Sequence, residues 1–502
     1  MKKVISRKQK LKLNSYFSLL NQVIIIVSGF ILPKLILDRY GSDINGLVSS
    51  ITQFIGFISL MELGIGAVVQ SSLFEPLAKN DNIRVNQILT SAKRFFNKIC
   101  SVFIIYIVFL MIFLSFRFND NYSMLYTMTL IVILSIGSFA QYYFGIVNQL
   151  LINADQKAYI QLILSIISYI INLLLCCLLI KFTNVGIHVL KLTTSLVFLL
   201  KPVGLYFYVK KNYKINLYEK YSVEPIRQKW NGLAQHIATT VLNNTDVVVL
   251  TIFSNLKNVS IYSIYVLVIN GVKNLTHSTV LGYQAMFGNM IANNEKELIN
   301  KEFSSMEWKM HTIVTLVFTC TAILIVPFVQ VYTKNIIDAN YIQPLFGFIM
   351  TFAQAAYCIR LPYNIMVMAA GHYKETQLSA IIEMLINIII SVVLVIKFGL
   401  IGVSIGTLVA MTYRSIYLAW YLSHNIINRS FNHFLKHVFV DLLTMAVIML
   451  STSFFVMGCS SYIEWIILAC TITVYSILVS IIMNSIFYRS FLFSILKKKR
   501  RY

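Results

Sequence analysis

The chain has 502 residues, of which 58% are hydrophobic and 12% charged, with a mean hydropathy of +0.73. A soluble domain carries roughly 25% charged residues, so a chain this apolar cannot cover itself for water, and its solvent is lipid. The net charge of +23 would point to nucleic acid in a soluble protein, but no folded basic domain is left over to bind it.

A spanning helix needs about 20 mostly apolar residues. Fourteen such segments are predicted in chain order: 14–37, 44–70, 95–116, 123–151, 158–180, 185–209, 232–254, 259–291, 310–332, 341–370, 376–396, 399–423, 434–457 and 461–487. The basic start, 1–12, runs into the first of them without a small-residue cleavage site, so no cleavable signal peptide is expected. Loops are short, and neither 210–231 nor 292–309 is long enough to fold as a domain. With the N-terminus placed in the cytoplasm, cytoplasmic segments hold 30 of the 42 Lys and Arg and external loops hold 6. That bias predicts both termini inside and an even number of helices.

Short matches recur at a near-constant offset. Leu77-Ala78-Lys79-Asn80-Asp81 resembles Ile291-Ala292-Asn293-Asn294-Glu295, Ile171-Asn172 returns as Ile386-Asn387, and Ile180-Lys181-Phe182 returns as Ile396-Lys397-Phe398. Gly186-Ile187 returns as Gly402-Val403. The fold expected is an all-α polytopic membrane protein of two parallel six-helix bundles, with the substrate path between the halves. The divisions are 1–210, a cytoplasmic linker 211–231, a second bundle 232–425, and two extra helices with a basic tail over 426–502.

Catalytic motifs are absent: there is no P-loop, no G-x-S-x-G and no H-E-x-x-H, and the eight histidines lack metal spacing. The seven cysteines lie in or beside apolar segments without a C-x-x-C pair, and read as small buried hydrophobes. No enzyme, resident metal or cofactor is expected. The informative residues are charges inside spans, each costing about 2.5–3.5 kcal/mol at mid-bilayer on insertion scales. They are Lys34, Glu62, Lys191, Lys201, Asp246, Lys273, Arg360, Glu383 and Arg414.

Spacing groups several of them. Asn243 and Asp246 share a face of helix 7, with Asn244 beside them, and Asn270, Lys273 and His277 form a stripe on helix 8. Arg360 and Asn364 flank Pro362, where a kink is expected. Glu62 precedes Gly64 and Gly66, where backbones can approach closely. Structural alternatives stand beside these readings. Lys34, Lys191, Lys201 and Arg414 can snorkel to an interface. Glu383 can be a paired structural charge, and Asp246 and Lys273 can form an ion pair that only holds helices 7 and 8 together.

Several segments together carry a family resemblance. They are Tyr40-Gly41 with Asn45-Gly46, Met61-Glu62-Leu63-Gly64-Ile65-Gly66, and Leu242-Asn243-Asn244-Thr245-Asp246. Val259-Ser260-Ile261-Tyr262-Ser263, Arg360-Leu361-Pro362-Tyr363-Asn364 and Ala370-Gly371-His372-Tyr373 continue the series. In this order, with the repeat, the chain resembles the Wzx-type polysaccharide flippases of the MOP superfamily, which also holds the MATE antiporters and lipid II flippases. The resemblance implies two bundles in a V around a cationic cavity. It implies a substrate of undecaprenyl-diphosphate-linked oligosaccharide, flipped across the bacterial cytoplasmic membrane for capsule, O-antigen or exopolysaccharide synthesis. Alternating access would be coupled to H+, Na+ or membrane potential, with membrane lipid, a polysaccharide polymerase and chain-length proteins as partners. Gln70 stands where the family often has Arg.

Under that reading Lys273 and Arg360 contact the diphosphate, and Asp246 sets their charge or binds a coupling cation. Asn243, Asn244 and Asn270 contact sugar hydroxyls, and Glu62 and Lys34 complete the expected substrate-binding set. Two rivals share the fold, a lipid II flippase and a MATE-like exporter of small cations. The exporter would want acids over bases inside its lumen. A membrane glycosyltransferase or polymerase would need a larger external loop or an acidic catalytic motif.

Overall fold

The computed structural model describes residues 7–59, 65–221, 224–226, 233–280, 283–453 and 458–489. Every regular element among them is helical. They divide into two compact units, Met1–Asn244 and Thr245–Tyr502.

The first unit opens with α1 (Arg7–Gly56), a 50-residue helix broken at Gly41, where φ is 80° and ψ 178°. That left-handed backbone is one glycine tolerates, and it joins two helices, 7–40 and 42–56, across a kink. Then come α2 (Ile65–Lys79), α3 (Asn82–Arg117), α4 (Met124–Ala140), a π-turn over Gln141–Gly145, and α5 (Ile146–Ala154). α6 (Ala158–Phe182), α7 (Ile187–Phe198) and α8 (Leu200–Asn212) follow. α9 (Leu233–Phe253) crosses the boundary between the units.

The second unit continues with α10 (Leu256–Ser278), α11 (Tyr283–Ala292), α12 (Lys296–Tyr332), α13 (Pro344–Ile359) and α14 (Leu361–Ala369). It ends with α15 (Tyr373–Phe398), α16 (Leu400–Asn425), α17 (Asn432–Thr452) and α18 (Tyr462–Phe487). Side-chain caps start several helices. Asp81 accepts from the Arg84 N–H at 3.0 Å, Asn255 from Asn258 at 2.8 Å, and Ser461 from Glu464 at 3.3 Å.

Twelve of the described helices are long and apolar enough to cross a membrane, against the fourteen expected. Expected helices 1 and 2 run together through the Gly41 kink. Expected helix 7 falls on α9, where Asn244–Phe253 is a shorter apolar helix among the described residues. Large apolar side chains face outward in rows, such as Ile167, Ile170, Leu174 and Leu178 on α6, as lipid-facing surfaces do. Cys470 is exposed and Cys177 half-buried, so the buried reading of the cysteines fails at those two.

The repeat is visible in backbone detail. Asn80 and Asn294, matched at the 214-residue offset, are both left-handed, at φ 56° and 58°, and each separates two helices. Gln156 and Gly371, matched at 215, are likewise left-handed at φ 59° and 79°. The nine-residue helices α5 and α14 sit at the same offset, and each follows a break in a longer helix. In the first unit the break is the π-turn, and in the second it is Arg360 with Pro362 just beyond it.

The linker segment up to Glu224 lies along the start of α3. Asn216 N–H donates to Asn86 Oδ1 at 3.2 Å, Gln87 donates to the Lys220 carbonyl at 3.2 Å, and Arg94 lies 5.2 Å from the Tyr221 ring.

Asp155, between α5 and α6, gathers charged and polar ends. Lys157 Nζ lies 2.6 Å from its carboxylate, Lys10 Nζ 3.1 Å, and Tyr213 Oη donates to it at 2.5 Å. Partial burial pushes the Asp155 pKa up, but hydrogen bonds from Lys157, Tyr213 and Lys10 together hold it below the usual carboxylate value. A depressed carboxylate stabilises the fold above its unfolded pKa, about 3.9. That stabilisation fades as pH falls through the lower folded value. Wild-type protein is therefore more stable than D155N at neutral pH, and thermal unfolding of the two in detergent converges in acid. A gap that persists unchanged in acid would remove the ionic explanation.

Candidate functional site

α15 and α16 pack backbone against backbone. A Cβ on Gly402 would lie 2.4 Å from the Leu394 carbonyl carbon, and one on Gly406 would lie 2.2 Å from Ser391 Oγ and 2.8 Å from the Ser391 nitrogen. Gly402 and Gly406 are four residues apart, the small-xxx-small spacing that lets helices approach closely in a membrane. This approach brings Thr407 on α16 to Asn387 on α15, at 3.1 Å. Gly406→Ala should cost about 1–3 kcal/mol by overpacking. It should also displace Thr407 from Asp246. An unchanged unfolding temperature would show that α15 yields without cost.

Asp246, 4% exposed, closes this corner. Thr407 Oγ1 donates to Asp246 Oδ2 at 2.8 Å, Tyr262 Oη at 2.9 Å, and Asn387 Nδ2 reaches Oδ1 at 3.4 Å. The expected alternative of an Asp246–Lys273 pair gives way to this set of uncharged donors. The Asn387 amide oxygen, Oδ1, is buried with no hydrogen-bond partner. The corner thus holds a carboxylate, a hydroxyl and an unused amide oxygen, all hard oxygen donors of the kind that bind H+, Na+ or other hard cations.

A second cluster is cationic. Arg360, at the α13–α14 break, is ion-paired with Glu383 of α15. Arg414 of α16 lies 3.7 Å from the other Glu383 oxygen and donates to the Thr376 carbonyl at 2.9 Å. Lys273 Nζ sits 4.2 Å from the centre of the Tyr357 ring, and the Arg360 guanidinium sits 4.5 Å from the same ring. Cation–π attraction holds both without neutralising either. Three cations therefore outnumber the two carboxylates within their reach, Glu383 and Asp246. Arg414 is 3% exposed, so the snorkelling expected of it is replaced by pairing, because Glu383 and a backbone carbonyl lie within reach. Glu383 is the paired charge that one sequence reading allowed.

The other expected site residues fare differently. Asn270 is exposed on α10. Lys34 makes an i, i+4 ion pair with Asp38 at 2.6 Å on α1. Asn244 accepts from Gln53 and donates to the Thr240 carbonyl at 2.6 Å. Lys34 and Asn244 both belong to the first unit. Asn243 lies in α9, but its side chain is outside the described residues, and Glu62 is outside them altogether.

Sequence reasoning missed Tyr357, Asn387, Thr407 and Tyr262 as site members. It also missed a buried network around Glu307, described below. Asn387 had been noticed as a repeat marker, and its place inside an apolar span was the available sign. Among the described residues no group of three or more His, Cys, Asp or Glu could hold a metal ion.

These observations define a multi-pass helical membrane protein. No family model matches the sequence, and no curated protein matches it. Solved structures do match the fold. The lipid II flippase MurJ in an inward closed conformation aligns with a TM-score of 0.68 at 17% identity, over 96% of this chain and 99% of that one. An inward-facing multidrug resistance MATE family transporter of the MOP superfamily gives 0.62 at 13% identity, covering 80% and 95%. The Vibrio cholerae MATE transporter VcmN in its bent form gives 0.53 at 12%, covering 84% and 97%. At these identities the likeness is one of fold.

Proposed function

We propose that this protein is a flippase that moves undecaprenyl-diphosphate-linked oligosaccharide repeat units across the bacterial cytoplasmic membrane by alternating access, feeding capsule, O-antigen or exopolysaccharide synthesis. The observation that carries the reading is the excess of charge at Lys273, Arg360 and Arg414 over the two carboxylates within their reach, Glu383 and Asp246. A wet cationic site in a transporter fold suits a diphosphate, which cannot cross hydrocarbon unaided. Lys273 and Arg360 would bind the diphosphate, Lys as a point charge and Arg by its fork. Asn270, exposed on the same face as Lys273, would meet sugar hydroxyls. We place both termini in the cytoplasm, following the Lys and Arg bias.

Asp246, Thr407 and Asn387 would take the coupling cation, Na+ or H+. Its occupancy would be sensed where α15 and α16 pack most closely. A second reading, lipid II as substrate, is favoured by the near-complete alignment with MurJ, α17 and α18 included. The imbalance of bases over acids argues against a small organic cation.

The test is leaflet location. Membrane vesicles of both orientations, with and without the protein, are probed with a sugar-modifying reagent that cannot cross. Loss of the protein should trap the lipid-linked oligosaccharide on the cytoplasmic side. Trapping of lipid II instead would transfer the assignment to peptidoglycan, and trapping of neither would end the flippase reading.

A further inference from the structure

α12 carries a polar residue every fourth position through Glu307, His311, Thr315 and Thr319. At 1.5 Å per residue this stripe runs about 18 Å along one face of a membrane helix. All four side chains are buried, Glu307 and Thr319 at 0% exposure. α17 answers with His437 and Asp441, also four apart. None of these residues belongs to the site described above.

The hydrogen bonds fix where protons sit. Tyr363 of α14 donates its one proton to Glu307 Oε1 at 2.7 Å, an oxygen that Arg429 also holds. The Tyr363 oxygen can then only accept from His311 Nε2, 3.0 Å away. With a proton on Nε2, His311 turns its Nδ1 to Asp441, and that pair shares one further proton. His437 stacks on His311 with ring centres 4.7 Å apart, and its Nδ1 meets Tyr488 Oη at 2.8 Å. Its Nε2 lies 3.6 Å from Glu307 Oε2, and that carboxylate oxygen has no hydrogen-bond partner. Lys436 stands off, over the Tyr488 ring at 5.1 Å.

Counted this way the network is neutral, with Arg429 balancing Glu307 and one proton shared by His311 and Asp441. It has one vacant acceptor, Glu307 Oε2, and one histidine facing it. The Asp441 end of the network borders open space. Asp441, Thr315 and Thr319 line a cavity of about 420 Å³, and neither threonine hydroxyl has a partner.

We infer that the Glu307–His311–Asp441–His437 network is a proton-binding site that controls how firmly α14 is anchored. A proton added to His437 leaves both ring nitrogens protonated, so Nδ1–H donates to Tyr488 Oη and the charged ring presents Nε2–H to Glu307 Oε2. The imidazolium then competes with Tyr363 for the carboxylate and repels the neighbouring His311. Tyr363 is the link that ties α14 to this network, and α14 starts directly after Arg360. Uptake of the proton would loosen the half-helix that begins directly after Arg360. The inference takes only the importance of Arg360 from the proposed transport function.

The experiment is hydrogen exchange of the full chain in lipid nanodiscs from about pH 8 to about pH 5, the range in which histidine ordinarily titrates. After correction for the intrinsic pH dependence of amide exchange, protection of Leu361–Ala369 should fall about tenfold as the proton binds. H437Q should abolish that fall. H424Q should leave it intact, since His424 is exposed on α16 and bonds only the Trp420 carbonyl. If H437Q does not fold, D441N carries the test, because it removes the acceptor of the shared proton and must move the transition in pH. No transition in the wild type, or one unchanged in H437Q or D441N, overturns the inference. Exchange needs no substrate, so a protein that flips lipid without this transition defeats the proton site alone. A transition in a protein that flips nothing defeats only the flippase reading.

Discussion

Replacing Glu383 by Gln should destabilise the protein far more than replacing Arg360 by Gln. Glu383 is the one carboxylate shared by Arg360 and Arg414. Its loss leaves two buried guanidinium groups beside Lys273 with no counter-charge, and breaking a buried pair in this way costs about 3–5 kcal/mol. R360Q leaves Glu383 still paired with Arg414, so no buried carboxylate loses its counter-charge. Its cost should be nearer 1–3 kcal/mol, the loss of charge-assisted hydrogen bonds. On the proposed function transport should behave in the opposite sense: R360Q folds but loses flipping, because the proposed diphosphate would lose its fork. Denaturant unfolding in detergent and the leaflet assay together check this. Equal destabilisation by both changes would mean Arg414 does not share the carboxylate. Normal flipping by R360Q would remove Arg360 from the substrate site.

Asp246→Asn should keep the fold and lose the energy coupling. The side chain keeps its size, and Tyr262 and Thr407 can turn their hydroxyls to accept from the new amide. The corner loses its negative charge, however, and with it the affinity for a cation. Ion gradients should then change the transport rate by much less than in the wild type. The coupling expected to vanish is about 1–3 kcal/mol, a 5- to 150-fold effect. Flipping is measured in proteoliposomes under imposed Na+ and H+ gradients. A D246N protein that responds to both gradients as the wild type does would show that the coupling ion binds elsewhere.

Arg360, Lys273 and Asp246 stood out in the sequence because an apolar span makes each charge conspicuous. What the sequence hid was pairing. Lys273 and Asp246 suggested partners by proximity in the chain, yet Lys273 shares Tyr357 with Arg360, and Asp246 takes hydroxyls and an amide from α10, α15 and α16. Glu307 escaped notice because it lies just before the predicted start of its span at 310. His437 and Asp441 lie in helices that no motif explained. Their i, i+4 spacing, matched by Glu307 and His311, was there to be read.

The sequence by itself determined the lipid solvent, the helical class, the two-fold repeat and the excess of positive charge. These follow from composition and period, and each is a property of a single helix or of the chain as a whole. Tertiary structure alone decided that expected helices 1 and 2 join through a kink at Gly41. It also decided that Arg414 is buried rather than snorkelling, and that α17 is stitched to α12 by a buried acid–base network. Those outcomes depend on which faces meet. A charge inside a membrane takes the nearest partner that packing brings within reach, and chain order does not say which partner that is.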